Sequence, residues 1–287
     1  MSGKYVTETI GTDAHEITRA ARILCDGGLV AVPTETVYGL AARADNDKAV
    51  SRIYRAKGRP DFNPLIVHVA SLELARKLAD FSNVAEKLAA EHWPGPLTLV
   101  LPRRRDAGLA EAVTAGLETV AIRMPSHAVM RALLENSGLP IAAPSANRSG
   151  FISPTSTAHV LASLDGRIDA VIDGGMCEKG LESTIAAVRA DESVVVLRPG
   201  PILLPAWAAD GKNIEAPGQL ASHYAPGKPV RLMASEVAPD EFLIGFGDLA
   251  GDCSLSEKGD LTEAASRLYA CLHDGALSAK PRIAVAE

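Results

Sequence analysis

No stretch of this chain approaches the roughly 18 consecutive apolar residues of a membrane span. The N-terminus, MSGKYVTETI, carries no apolar signal core. Neither a membrane location nor secretion is therefore expected, and the cytoplasm is the expected compartment. Cysteine is scarce: Cys25, Cys177, Cys253 and Cys271 stand far apart with no C-x-x-C pair, which reads as reduced structural thiols in a cytosolic protein. Basic excess is lacking too. A net charge of −6 and a pI near 5.7 argue against a broad cationic face for gripping nucleic acid, so any anion site must be local. Familiar catalytic signatures are missing: there is no G-x-x-x-x-G-K-[ST], no G-x-S-x-G and no H-E-x-x-H. Gly245-Phe246-Gly247 follows a strand, but Gly251 comes one residue too late for a dinucleotide fingerprint and reads as a turn.

The chain does have 287 residues of ordinary globular composition, 47% hydrophobic and 22% charged, enough for one large domain and a small one. The stretch around which the rest is organised is Leu29 to Leu40, LVAVPTETVYGL. It reads as a buried strand stopped by Pro33, then a polar loop with Thr34, Glu35, Thr36 and Tyr38 before Gly39. A site at the carboxyl end of a strand is the usual place in an α/β sheet. Helices are expected over 13–26 and 45–56, over 72–92 with a break at Ser82-Asn83, and over 126–136 and 155–164. Strands are expected at LIVHV (65–69), LTLVL (97–101), TVAIRM (119–124), 139–143 and DAVID (169–173). ESTIAAV and VVVLRPG read as a hairpin turned at Ala190-Asp191-Glu192. Strand and helix alternate, so the expected fold is α/β with a twisted mixed sheet forming a concave cleft. Three parts are expected: residues 1–204 as catalytic domain, 205–229 as a proline- and glycine-rich linker, and 230–287 as a small Rossmann-like α/β domain.

Polar groups gather at strand ends. Lys57, Arg59 and Arg198 stand beside Pro or Gly, and Arg123 closes a strand. Stiffly held cations on an acidic chain can build an anion pocket. Thr34, Thr36, Asn63, Ser145, Asn147 and Ser183 can orient a polar ligand there. With no Ser-His-Asp or Cys-His set in context, the pattern favours chemistry by positioning and charge neutralisation, as in phosphoryl or nucleotidyl transfer. Each residue alone has a plainer reading. Arg123 fits a structural ion pair, His68 a satisfied core histidine, Ser145 and Asn147 a loop cap, and Lys57 with Arg59 a solvated helix end.

Taken together and in order, PTETVYGL, K-x-R-P-x-x-N-P-L-I-V-H, WPGPLT, T-V-A-x-R-x-P, APSAN-x-S-G, ESTI and LRPG resemble the threonylcarbamoyl-AMP synthase family, with its YrdC-type fold. The resemblance covers about residues 10–204, and SHYAP with the domain after it resembles the family's two-domain form. It implies formation of L-threonylcarbamoyl-adenylate and pyrophosphate from L-threonine, bicarbonate or CO2, and ATP. Downstream threonylcarbamoyl-transferase proteins would then modify adenosine 37 of tRNAs reading codons that start with A, with no stable tRNA binding needed from this chain. Lys57, Arg59, Ser145 and Asn147 correspond to the catalytic polar group at the triphosphate. Asn63, Thr119, Ser153 and Arg198 correspond to nucleotide contacts, joined by His223 or Tyr224 from the linker. Thr36, His68, Arg123, Ala143 and Ser183 correspond to the threonine site. Mg²⁺ is implied as the companion of ATP, with no all-protein metal cage. Family members are expected to continue beyond RIAVAE into a closing helix, so the small domain is expected to be a short form or incomplete. Two other functions fit the same fold: an RNA-binding module without turnover, which the net charge disfavours, and a carbamoyl-adenylate enzyme with another acceptor, whose cysteine-rich segments are missing.

Overall fold

The computed structural model describes residues 6–60, 62–205, 207–208, 215–218 and 224–287. The first half alternates as its patterning requires. Strand β1 (Glu8–Ile10) leads to helix α1 (Ala14–Cys25), whose cap Asp13 accepts from the amides of His15 and Glu16 at 3.0 Å each. Strands β2 (Val30–Val32) and β3 (Gly39–Arg43) follow, then α2 (Asp47–Lys57), capped by Asn46 and ended by Gly58 at φ 59°. Next come β4 (Ile66–His68), α3 (Leu72–Leu78), α4 (Asn83–His92), β5 (Leu97–Pro102), α5 (Glu111–Thr114) and β6 (Thr119–Arg123). The expected break falls where Ser82 caps α4. Helix α6 (Ala128–Ser137), β7 (Ile141–Ala142), α7 (Thr157–Leu164), β8 (Ala170–Ile172), β9 (Thr184–Val188), β10 (Val194–Arg198) and β11 (Trp207–Ala208) complete this part.

These eleven strands form one mixed sheet in the order β1-β8-β2-β3-β7-β4-β6-β5-β9-β10-β11. Three expectations change. The polar loop after Pro33 does not lead straight on to the helix expected at 45–56: β3 turns back antiparallel on β2, Val32 opposite Gly39, so PTETVY is a hairpin connection. Helix α7 starts at Thr157, because Ser156 caps it. The segment expected to be a linker adds an edge strand, β11, parallel to β10.

Alternation along the strands decides where the site lies. Leu29, Ala31, Val67, Leu99 and Ile122 point to one face, into the main core beneath α2, α4 and α7. On the other face Val30, Val32, Ala41, Ile141 and Ala143 pack under α1 and α6, against Ile17, Leu24, Met130 and Leu133. Further along that second face, Ile66, Val100, Ala121, Ile185 and Leu197 form a cluster with no helical residue, covered instead by Ala216. The sheet face is thus left without a helical layer over this cluster.

A second sheet, ordered β12-β15-β13-β14, is parallel throughout: β12 (Val230–Ala234), β13 (Glu241–Gly245), β14 (Cys253–Ser254) and β15 (Arg282–Ala286). Helix α8 (Leu261–Leu277) packs on it, and β13 is followed by a turn, with no helix at Gly247. No helix among the described residues is long and apolar enough to cross a membrane.

Candidate active site

The cleft lies on the helix-free part of the sheet. It is lined by Thr34, Thr36, Val37, Gly39, Arg59, Ile66, His68, Arg123, Ala143, Pro144, Ser145, Glu182, Arg198 and Pro217. The hairpin connection, the ends of β4, β6 and β10, the loop after β7 and the covering segment all contribute.

At one end stands Arg123, 3% exposed. Parallel register puts His68 level with it on β4. Its guanidinium is held in three directions: Nε donates to Gly95 O at 3.2 Å, Nη1 to Thr36 Oγ1 at 2.9 Å, and Nη2 meets Glu35 Oε1 at 2.7 Å. Burial alone would raise the Glu35 pKa, but the Arg123 charge overrides it and holds the carboxyl at about 2. Thr34 Oγ1 donates to Val37 O at 2.7 Å and accepts from the Thr36 and Val37 amides, closing the turn. The Thr34 and Thr36 hydroxyls lie 2.8 Å apart. With Thr34's proton committed to Val37, Thr36 donates to Thr34 and accepts from Arg123. Burial, followed by Arg123's charge, lowers the His68 pKa to about 3, so the imidazole is neutral. Its Nδ1 has no partner among the described residues. Ala143 is buried beside these groups, its amide donating to Ile66 O at 3.0 Å.

At the other end the cations converge. Arg198 donates to Ser183 O at 3.0 Å through Nε and to Ser183 Oγ at 2.9 Å through Nη2, and its Nη1 lies 3.5 Å from Glu182. Ser183 Oγ also meets Thr98 Oγ1 at 2.7 Å. Ser153 Oγ donates to Glu182 Oε1 at 2.6 Å. Arg59 is tied to Asn63 O and Pro64 O at 3.2 and 2.9 Å, and burial pulls its pKa down to about 10. The Asn63 side-chain amide has neither its oxygen nor its nitrogen partnered among the described residues. Lys57 is placed differently from a plain phosphate contact. Its Nζ donates to Ser145 O and to Asn147 O, the latter at 2.5 Å, so it braces the loop after β7. Burial, with Arg59 nearby, lowers its pKa well below the ordinary lysine value. Asn147 Nδ2 ties the same loop to Arg148 O and Phe151 O.

Of the residues singled out from sequence, Thr36, Arg59, His68, Arg123, Ala143, Ser145 and Arg198 line the cleft, and Lys57, Asn63, Asn147, Ser153 and Ser183 are buried beside it. Thr119 does not line it: it shares Arg123's strand face, but about 13 Å back along β6, toward the Asn63 end. Tyr224 stands against Arg198 and Gly218, and His223 lies outside the described residues. Two carboxylates were not assigned from sequence, Glu35 and Glu182. A local signal existed, since both sit inside quoted motifs, yet an acid in an anion cleft makes sense only once its arginine partner is seen. The free space among the lining side chains is about 20 Å³, room for about one water.

Fold and cleft together define an α/β protein with a large mixed sheet, a small parallel sheet after it, and a narrow cleft lined by buried arginines. Residues 22–200 match the Sua5/yciO/yrdC family, described as "Telomere recombination", and residues 181–287 match the "Threonylcarbamoyl-AMP synthase, C-terminal domain". The chain belongs to the Sua5/YrdC family, in the form that carries this C-terminal domain. The threonylcarbamoyl-AMP synthase of Bacillus subtilis is 47% identical over 241 residues, 79% of this chain and 69% of that one. That of Pyrococcus abyssi is 46% identical over 230 residues, 75% of this chain and 67% of that one. The crystal structure of P. abyssi Sua5 complexed with L-threonine superposes with a TM-score of 0.88 at 36% identity, covering 98% of this chain and 92% of that one. Escherichia coli YciO shares the fold alone, at 24% identity and a TM-score of 0.61.

Proposed function

We propose that the chain is an L-threonylcarbamoyladenylate synthase, a nucleotidyltransferase that uses L-threonine, bicarbonate or CO2, and ATP. The observation that carries this is the two-ended cleft. A buried arginine, a threonine hydroxyl and a neutral imidazole stand at one end, and three cations gather toward the other.

In this reading the threonine carboxylate binds Arg123, whose guanidinium can grip both oxygens. Thr36, Ser183 and the Ala143 backbone surround the rest of the amino acid. Neutral His68 adds no charge to repel the ammonium and leaves Nδ1 for a polar contact. The amine, once deprotonated, takes up CO2 to give a carbamate and a proton. A carbamate oxygen then attacks the α-phosphorus of ATP; the bond to the β-phosphate oxygen breaks, and pyrophosphate leaves with its electron pair. No protein nucleophile is needed. Arg59 and Arg198 offset the charge on the phosphates, and Lys57 sets the Ser145–Asn147 loop that faces them. Asn63, Ser153, Tyr224 and Thr119 belong to the nucleotide end. The narrow cleft excludes water, which otherwise hydrolyses carbamates and acyl adenylates.

Mg²⁺ is expected to arrive on the phosphates of ATP, where it would add positive charge. Among the described residues no group of three His, Cys, Asp or Glu side chains could hold a metal, and Glu182 is already engaged by Ser153 and Arg198. The product's expected consumers are the proteins that transfer threonylcarbamoyl to adenosine 37 of tRNA. Pyrophosphate release tests the reading: it should need threonine, bicarbonate and ATP together, and release without threonine would overturn it.

A further inference from the structure

Helix α8 belongs to the small sheet by its packing, yet one stripe of it turns the other way. Ser266, Tyr269 and His273 lie three and four residues apart, on one face. Each meets a loop of the cleft. At Gly180 a Cβ atom would sit 1.8 Å from Ser266 O, so helix and loop touch backbone to backbone there. Tyr269 stacks on Tyr224, ring centroids 5.4 Å apart at 22°. His273 stacks on His159 of α7, centroids 3.8 Å apart at 13°, and its Nε2 lies 3.1 Å from Ser153 O. Val37 of the hairpin connection, Ile152 and Leu181 join Tyr269, Leu268 and Leu272 in a single apolar cluster, so the stripe also backs the PTET loop.

Two branches from this stripe reach the same cation. Tyr224 adopts φ 59°, a left-handed backbone that an aromatic residue rarely takes unless its surroundings hold it. Its hydroxyl and the Arg198 side chain crowd the same side of Gly218, 3.1 and 2.8 Å from where a Cβ would stand. On the other branch, His273 meets Ser153, Ser153 donates to Glu182, and Glu182 pairs with Arg198. Neither Tyr269 nor His273 lines the cleft itself.

We infer that Tyr269 is a positioning residue for the nucleotide end of the cleft, clamping Tyr224 against Arg198, with His273 bracing Ser153 from the same helix face. The small domain is therefore the back wall of the ATP end; at the threonine end it reaches Val37 of the hairpin connection, while Arg123 and His68 are held on strands of the large sheet. This rests on the adenylate-forming reading, since it assigns the Arg198 end to ATP.

The test measures binding of Mg-ATP and of L-threonine separately, by titration calorimetry, on the full chain and on Tyr269→Ala, Tyr269→Phe and His273→Ala. Tyr269→Ala should weaken ATP about tenfold and leave threonine within about twofold. Tyr269→Phe keeps the ring stack and should bind ATP as the parent does. A merely structural role would lower both affinities together, or neither while lowering the melting temperature; either result overturns the inference. Should Tyr269→Ala fail to fold, His273→Ala is judged by the same split. Pyrophosphate release by the parent chain is followed in parallel. Its failure would remove the proposed reaction, while the ATP titrations would still decide the role of Tyr269.

Discussion

Arg123 illustrates how this site spends its charge. Each of its three nitrogens meets a protein acceptor, one of them the buried carboxylate of Glu35, which leaves one N–H on Nη1 and one on Nη2 among the described residues. A buried arginine without that acid would be costly, and removing one partner of such a pair typically costs about 3–5 kcal/mol. The pair also sets a pH dependence. Glu35 is held at about 2 against an ordinary 4.5, and His68 at about 3 against 6.5. In both cases the unfolded chain binds the proton more readily, so stability is full at high pH and is lost as pH falls. His68 acts from pH 6.5 downward and Glu35 from 4.5 downward. Thermal melts at graded pH should show the melting temperature falling on acidification through this window, and His68→Gln should flatten its upper part; a profile unchanged by that substitution would contradict the assignment. Arg59→Ala should abolish pyrophosphate release while far-ultraviolet circular dichroism stays that of the parent. An active Arg59→Ala enzyme would remove Arg59 from the phosphates. Sequence separated Thr36 from Thr34 only through the resemblance; the structure shows the physical difference, since Thr34 has spent its bonds inside the turn.

Among the elements, β3 is one that the local patterning does not announce. GLAAR is rich in alanine and lacks β-branched residues, so propensity argues against a strand. It is a strand because it is enclosed: Gly39, Leu40, Ala41 and Ala42 are all buried, and both neighbours pair with it antiparallel. Small side chains are what a strand covered on both faces can use, and that covering is not visible locally. The helices were legible because their caps and periodicities are local, as with Asp13, Asn46 and Ser82. Gly28 joins α1 to β2 under a tighter constraint than its turn alone. A Cβ there would sit 2.4 Å from Ile23 Cγ2 and 2.7 Å from Ile23 O. Gly28→Ala should therefore destabilise the chain by about 1–3 kcal/mol, read as a lowered urea midpoint with an unchanged slope. A midpoint equal to the parent's would show that α1 can shift without loss.

At the scale of the whole molecule, the alternation of strand and helix conveyed the class of fold, and the composition change near Pro205 conveyed that a second unit follows. What sequence did not convey is how the two units meet. The contact runs through α8, whose stripe becomes legible only once the loops it meets are in place. Because the apolar cluster around Val37, Ile152 and Tyr269 joins hairpin, loop and helix, the two sheets should unfold together. Calorimetry should give one transition whose calorimetric and van't Hoff enthalpies agree, and Tyr269→Ala should split or broaden it. Two resolved transitions in the parent would mean that the contact is too weak to couple the units.

The edge strand β1 pairs with β8, and the Thr7 hydroxyl donates to Ile168 O across 161 residues of chain. During synthesis the first strand thus leaves the ribosome long before its partner exists. At roughly 5–20 residues per second the wait is on the order of 8–30 s. Through that interval the β1 edge and the side of β2 that later receives β8 are both unpaired. Strand β1 is made early, yet it is fastened only when a partner from the second half of the chain arrives.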